Sequence, residues 1–161
     1  MAKIQKTNAA RLLDRAGIHY ELIPYHVDPD DLAATHVAAE LGEDIATVFK
    51  TLVLTAGPGS LLVCVVPGDA EVDLKKAAAA AGVKKVEMLH MRDLLAATGY
   101  IRGGCSPVGM KKALPTFFHI TALDHPAIYV SAGVRGLQLK VAPSDIIAYT
   151  GASVADIIKP A

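Results

Sequence analysis

The sequence predicts a mixed α+β fold: a curved, mixed β-sheet with helices packed at its periphery. Three observations carry this reading. Several short runs alternate apolar and polar residues with period two, other segments repeat apolar residues with helical spacing, and the two kinds follow one another without strict β-α alternation. Regular alternation would point to a doubly wound sheet; irregular order points to α+β.

The first helix is predicted over Asn8 to Ala16, where Ala9, Leu12, Leu13 and Ala16 share a face and Gly17 ends the pattern. Ile18 to Pro24 alternates as a strand, and the acidic turn Asp28-Pro29-Asp30-Asp31 leads to a second helix ending near Gly42. Ile45 to Thr55 and Leu61 to Pro67 read as strands of a hairpin joined through Gly57-Pro58-Gly59. Asp73 is placed to cap a helix through Ala77 to Ala81 that stops at Gly82, and a further helix runs from about Met91 to Ala97 before Gly99. Short strands over Tyr100 to Arg102, Phe117 to Ile120, Ala127 to Val130 and Leu137 to Val141 precede a closing helical region after Pro143.

The 161 residues suit one domain, and no linker, repeat or low-complexity tract divides them, so residues 1–161 are read as a single unit. With 52% hydrophobic residues but only 5% aromatic and no tryptophan, the core must be built from Ala, Val, Leu and Ile, and disorder is excluded. No segment approaches about 18 consecutive apolar residues, and Met1 to Thr7 lacks an apolar leader. A soluble, cytoplasmic protein with no membrane contact is expected. Cys64 lies in an apolar strand and Cys105 in a Gly-rich loop, so no disulfide framework is indicated. His19, His26, His36, His90, His119 and His125 lack the spacing of a zinc helix, and neither a metal nor another cofactor is expected.

The formal net charge of zero argues against a protein that coats long stretches of nucleic acid. Its distribution is uneven. Tyr20 to Phe49 carries seven acids and no Lys or Arg, whereas Gly99 to Lys140 carries Arg102, Lys111, Lys112, Arg135 and Lys140 against Asp124 alone. That asymmetry suits a local anion grip, though ordinary solvated faces produce it too.

Lys50 is the most informative single residue, because it sits inside Thr47-Val48-Phe49-Lys50-Thr51-Leu52-Val53-Leu54, where a strand should bury apolar side chains on both faces. Alternation puts it on the face of Val48, Leu52 and Leu54, with Thr51 opposite. Either its methylene stem packs while the ammonium reaches water, or the ammonium faces a ligand. A second unusual stretch is Gly103-Gly104-Cys105-Ser106-Pro107. Paired glycines there serve a tight turn, or let main-chain N–H groups converge on a ligand beside the Ser106 hydroxyl.

Phe49-Lys50-Thr51-Leu52, Gly103-Gly104-x-Ser106-Pro107 with Gly109 and Lys111-Lys112, Leu74-Lys75-Lys76-Ala77, Val83-Lys84-Lys85-Val86-Glu87-Met88, and Ile128-Tyr129-Val130-Ser131 with Arg135-Gly136-Leu137 occur in that family order once the chain is read from its N-terminus, and together they resemble the YbaK family of aminoacyl-tRNA editing domains. The likeness runs from about Asn8 to Ile158 and is greatest to the stand-alone Cys-tRNA(Pro)/Cys-tRNA(Cys) deacylases. It implies a barrel-like mixed sheet with peripheral helices. It also implies a site in which Lys50 is catalytic, facing the ester or the terminal phosphate, with Tyr25, Thr51, Gly103, Gly104, Ser106 and Ser131 binding the substrate. Two departures bear on substrate breadth: Ala132 and Val134 stand where relatives have Gly and Lys, and Ala33-Ala34-Thr35-His36 stands where relatives have Phe-Gly.

The activity implied is trans-editing: removal of cysteine mischarged onto tRNA(Pro), with the mischarged acceptor end as substrate and prolyl-tRNA synthetase as a weak or transient partner. The substrate's own thiol then attacks its ester, and Cys105 is not needed as a nucleophile. An alanine-specific hydrolytic editor, and a module that binds an aminoacyl-tRNA end or a nucleotide without cleaving it, are the alternatives.

Overall fold

A computed structural model describes residues 4–160, and they form five helices and two β-sheets. The small sheet holds β1 (Tyr20–Pro24), β7 (Leu137–Val141) and β6 (Ile128–Ser131) in that order, all antiparallel. The large sheet is mixed, ordered β4 (Glu87–Met88), β2 (Phe49–Thr55), β3 (Leu61–Pro67), β5 (Thr116–His119) and β8 (Ser153–Ala155). Its β2–β3 pair is the expected hairpin, running from Phe49 opposite Pro67 to Thr55 opposite Leu61, while β3–β5 and β5–β8 are parallel. Neither sheet closes on itself. Val48 and Tyr129 bridge the two.

Strand alternation sorts the large sheet's side chains into two cores. Val63, Val65 and Phe118 point between the sheets, meeting Ile128, Val130, Leu139 and Val141 of the small sheet and Leu13 of α1 (Asn8–Arg15). Leu62, Cys64, Val66 and Phe117 point the other way, onto Ala77 and Ala78 of α3 (Leu74–Ala81). The alanine run in α3 thus lets the helix lie close to the sheet. Phe118 is fully buried, so truncating it to Ala would cost roughly 3–5 kcal/mol. A third cluster joins Val37 and Ala38 of α2 (Ala34–Leu41) to Val48 and Tyr129, fixing α2 over the seam between sheets.

Caps end the helices much as the sequence predicts. Thr7 accepts from Ala10 N at the start of α1, Asp73 accepts from Lys76 N at 3.0 Å, and glycines 42, 82 and 99 close α2, α3 and α4 (Leu94–Thr98). α5 (Pro143–Thr150) opens on its proline. One expected strand is not formed: Tyr100 to Arg102 belong to a loop. There Tyr100 N donates to Thr98 Oγ1 at 3.0 Å, its hydroxyl donates to the Val108 carbonyl, and Gly104 N donates to Ile101 O at 2.9 Å. Three of the segment's polar groups are thus engaged locally, and no strand pairs with it.

Candidate active site

A cavity of about 340 Å³ opens at the seam where α2, the edge of β2 and the outer face of the small sheet meet. β4 is only two residues long and covers β2 at Leu54 and Thr55 alone, with Leu89 N donating to Val53 O at 3.0 Å. Main-chain groups alternate along a strand, so Thr51 turns its N–H and C=O to the same side as Val53, beyond the reach of β4. That uncovered edge explains how two successive side chains, Lys50 and Thr51, both reach one cavity although they leave opposite faces of the strand.

Lys50 is half-buried and makes no ion pair within 4.0 Å among the described residues. Burial pulls its pKa below 10.5, with the carboxylates of Glu71 and Asp69 pushing the other way. Its side chain also borders a second groove with Glu71, Lys75 and Lys159, so it divides the cavity from that groove. Thr51 Oγ1 is buried without a hydrogen-bond partner.

Gly103 lines the cavity together with Arg102 and Cys105, while Ser131 enters from the end of β6. The Ser131 hydroxyl accepts from Gly133 N at 3.1 Å, which sets the turn that follows. Three residues expected in the site are not among those that line the cavity. Ser106 is fully buried, and its Oγ accepts from Val108 N at 3.2 Å, so it stiffens the loop from within. Gly104 packs against the backbone of Val134 and Arg135. Tyr25 sits in the third cluster, its N–H donating to Gly136 O at 3.0 Å.

Gln138 enters the cavity, and sequence reasoning missed it. It is 5% exposed, pairs in register with Ser131, and its Oε1 has no partner. The available signal was alternation: with Leu137, Leu139 and Val141 facing the core, Gln138 had to face outward, where an uncharged amide in the middle strand of a sheet stands out. Thr51 Oγ1 and Gln138 Oε1 are therefore two buried polar atoms without partners beside the cavity, and a buried group left unmatched is costly.

No histidine or carboxylate lines the cavity. Cys105 does, but burial pushes its thiol up to about 11, which leaves it protonated and inert at neutral pH. His119 lies elsewhere, its Nδ1 accepting from Ile157 N at 3.3 Å. No cluster of three or more metal-binding side chains occurs among the described residues.

Comparison with known proteins agrees with this architecture. Residues 29–149 match the profile of the aminoacyl-tRNA editing domain. A protein of Enterococcus faecalis that bears the name of a candidate Cys-tRNA(Pro)/Cys-tRNA(Cys) deacylase, EbsC, is 48% identical over 153 residues, covering 95% of this chain and 93% of its own. A solved structure described as a candidate trans-editing enzyme for prolyl-tRNA synthetase superposes with a TM-score of 0.82 at 24% identity, over 97% of this chain and 100% of that one. A scaffold protein used for grafting linear epitopes superposes with a TM-score of 0.83 at 26% identity, over 96% and 99%. The chain belongs to the aminoacyl-tRNA editing domain family.

Proposed function

We propose that this protein removes cysteine from mischarged tRNA(Pro), and from Cys-tRNA(Cys), by cleaving the aminoacyl ester in trans. The observation that carries the mechanism is the lack of an imidazole, carboxylate or ionised thiol in the cavity: no histidine or carboxylate lines it, and the Cys105 thiol is protonated. The attacking group then comes from the substrate. Its cysteine sulfur forms a bond to its own ester carbonyl, the bond from that carbonyl to the ribose oxygen breaks, and the thiol proton passes to the ribose oxygen. A four-membered thiolactone and free tRNA leave. Holding the sulfur beside the carbonyl replaces a bimolecular encounter with a positioned one.

Lys50 is the catalytic residue of this scheme, donating to the oxyanion that develops on the carbonyl. Thr51, Gly103 and Ser131 bound the pocket that takes the aminoacyl group, with Gln138 beside them. Gly104, Ser106 and Tyr25 serve by holding the loops that carry these groups. The name of the Enterococcus relative supports cysteine as the amino acid, and the description of the solved trans-editing structure supports action beside prolyl-tRNA synthetase. An alanine editor needs an activated water, for which the cavity supplies no carboxylate or imidazole.

Deacylation of cysteinyl-, alanyl-, seryl- and prolyl-tRNA(Pro) by the purified protein tests the reading. Cysteinyl ester alone should be cleaved at a substantial rate. Equal cleavage of the alanyl ester would overturn the thiol route, and binding without turnover of any ester would overturn the enzyme.

A further inference from the structure

Two arginines, one lining the cavity and one lying against the loop that lines it, have no acidic partner among the described residues. Arg102 borders the opening, and Arg135 crosses from the neighbouring loop so that its Nε donates to the Arg102 carbonyl oxygen at 2.8 Å. Neither guanidinium has a carboxylate within 4.0 Å among the described residues, and neither do Lys111 and Lys112. Both arginines are exposed, and apart from the Nε bond their donors are uncommitted to other described groups. The uneven charge of the sequence thus appears as a cationic opening on a chain of zero net charge.

The contact between the loops is shaped for this arrangement. Gly103 has φ +84, and a Cβ there would stand 3.3 Å from Arg135 Nε and 3.4 Å from its Cγ. Glycine therefore lets the arginine lie against the loop, and the Nε bond fixes the direction of the rest of the guanidinium fork. Such a planar, pre-oriented fork matches a phosphate in two-point geometry, at less entropy loss than a lysine.

The cavity is small for a drug-sized ligand, near the lower end of the usual range. Once an aminoacyl group and its ribose fill it, the chain that precedes the terminal nucleoside has to leave through the mouth. An aminoacyl ester has no free carboxylate, so the anions arriving there are phosphodiesters. We infer that Arg102 and Arg135 clamp the phosphodiester on the 5′ side of the terminal nucleoside in the single-stranded 3′ end of tRNA. This assignment rests on the editing reading for its choice of ligand. It concentrates the nucleic-acid contact of a neutral protein at one point.

Binding of a deacylated acceptor minihelix ending in single-stranded CCA, followed by fluorescence anisotropy across a salt series, tests the clamp. Arg102→Gln is the cleaner variant, because Arg135 is held by the Arg102 main chain and not by its side chain. Arg102→Gln and Arg135→Gln should each weaken binding at low salt and lower the slope of log K against log salt by about 0.7, the loss of one single-strand phosphate contact. A minihelix truncated before the CCA should bind wild type and variants alike. An unchanged slope in Arg102→Gln, or an equal loss on the truncated minihelix, overturns the clamp. Wild-type protein that binds with arginine-dependent slopes yet cleaves no aminoacyl ester keeps the clamp and overturns the editing activity; cleavage with arginine-independent slopes does the reverse.

Discussion

Lys50 has a measurable cost as well as a use. Burial disfavours its charged form, so its folded pKa lies below the unfolded value of 10.5. Between those two values the unfolded chain holds a proton that the folded chain has lost, and stability rises with pH; below the folded pKa the full penalty persists. Lys50→Met should therefore melt at or above the wild-type temperature at pH 7, the gap closing as pH climbs towards 10.5, while deacylation is lost. A variant that melts lower at pH 7, or that keeps near wild-type turnover, would return Lys50 to a solvated stem. Cys105→Ala should retain deacylase activity at a stability cost on the order of 1 kcal/mol, since the protonated thiol only packs; a thousandfold drop in single-turnover rate would make it the nucleophile. Lys50 was legible because a charge inside an apolar run violates its local rule. Ser106 was read for its hydroxyl, and one sequence gives no sign that this group is spent on Val108 N within the loop.

Elements long enough to carry their own period were legible, and those created by their partners were not. α1, α3, β3 and β7 fall within a residue of the expected bounds because capping residues or full alternation mark them. β4 and β8, of two and three residues, exist only because β2 and β5 offer an edge, and no pattern that short is distinctive. The predicted Tyr100 strand failed for the opposite reason, since Thr98 and Val108 satisfied the segment locally. Gly68, just past β3, gives the element-scale prediction. A Cβ there would lie 2.4 Å from Ala34 Cβ and 3.1 Å from the Val48 carbonyl oxygen, so α2 would have to lift from the start of β2. Gly68→Ala should cost about 1–3 kcal/mol in denaturant melts and raise the half-saturating tRNA concentration, because α2 and Gly68 line the cavity. Unchanged stability would mean that α2 yields freely.

The whole molecule places its cavity between two sheets rather than within one, and neither sheet closes on itself. Mixed order and irregular connections were readable from the sequence; which sheet each strand joins was not, because long-range pairing leaves no local trace. With a site assembled at a seam, chemistry depends on how the substrate is held. A seryl ester has nearly the shape of the cysteinyl ester but a hydroxyl far less acidic than a thiol, so it should react at least a hundredfold more slowly in single turnover at saturating enzyme, by the general measure of a missing base. Comparable rates would point to an activated water.

The uncovered edge of β2 makes the backbone itself a reporter. Thr51 turns its amide towards a side that β4 does not reach, so its hydrogen should exchange with deuterium much faster than those of Lys50 and Leu52, which face the β3 ladder. A bound, uncleavable aminoacyl-adenosine analogue that fills the cavity would slow exchange at Thr51 while leaving its neighbours nearly unchanged. A single amide in a peptide map would then count occupied molecules without any label, and its exchange rate across analogues bearing different side chains would rank amino-acid preference separately from the rate of cleavage.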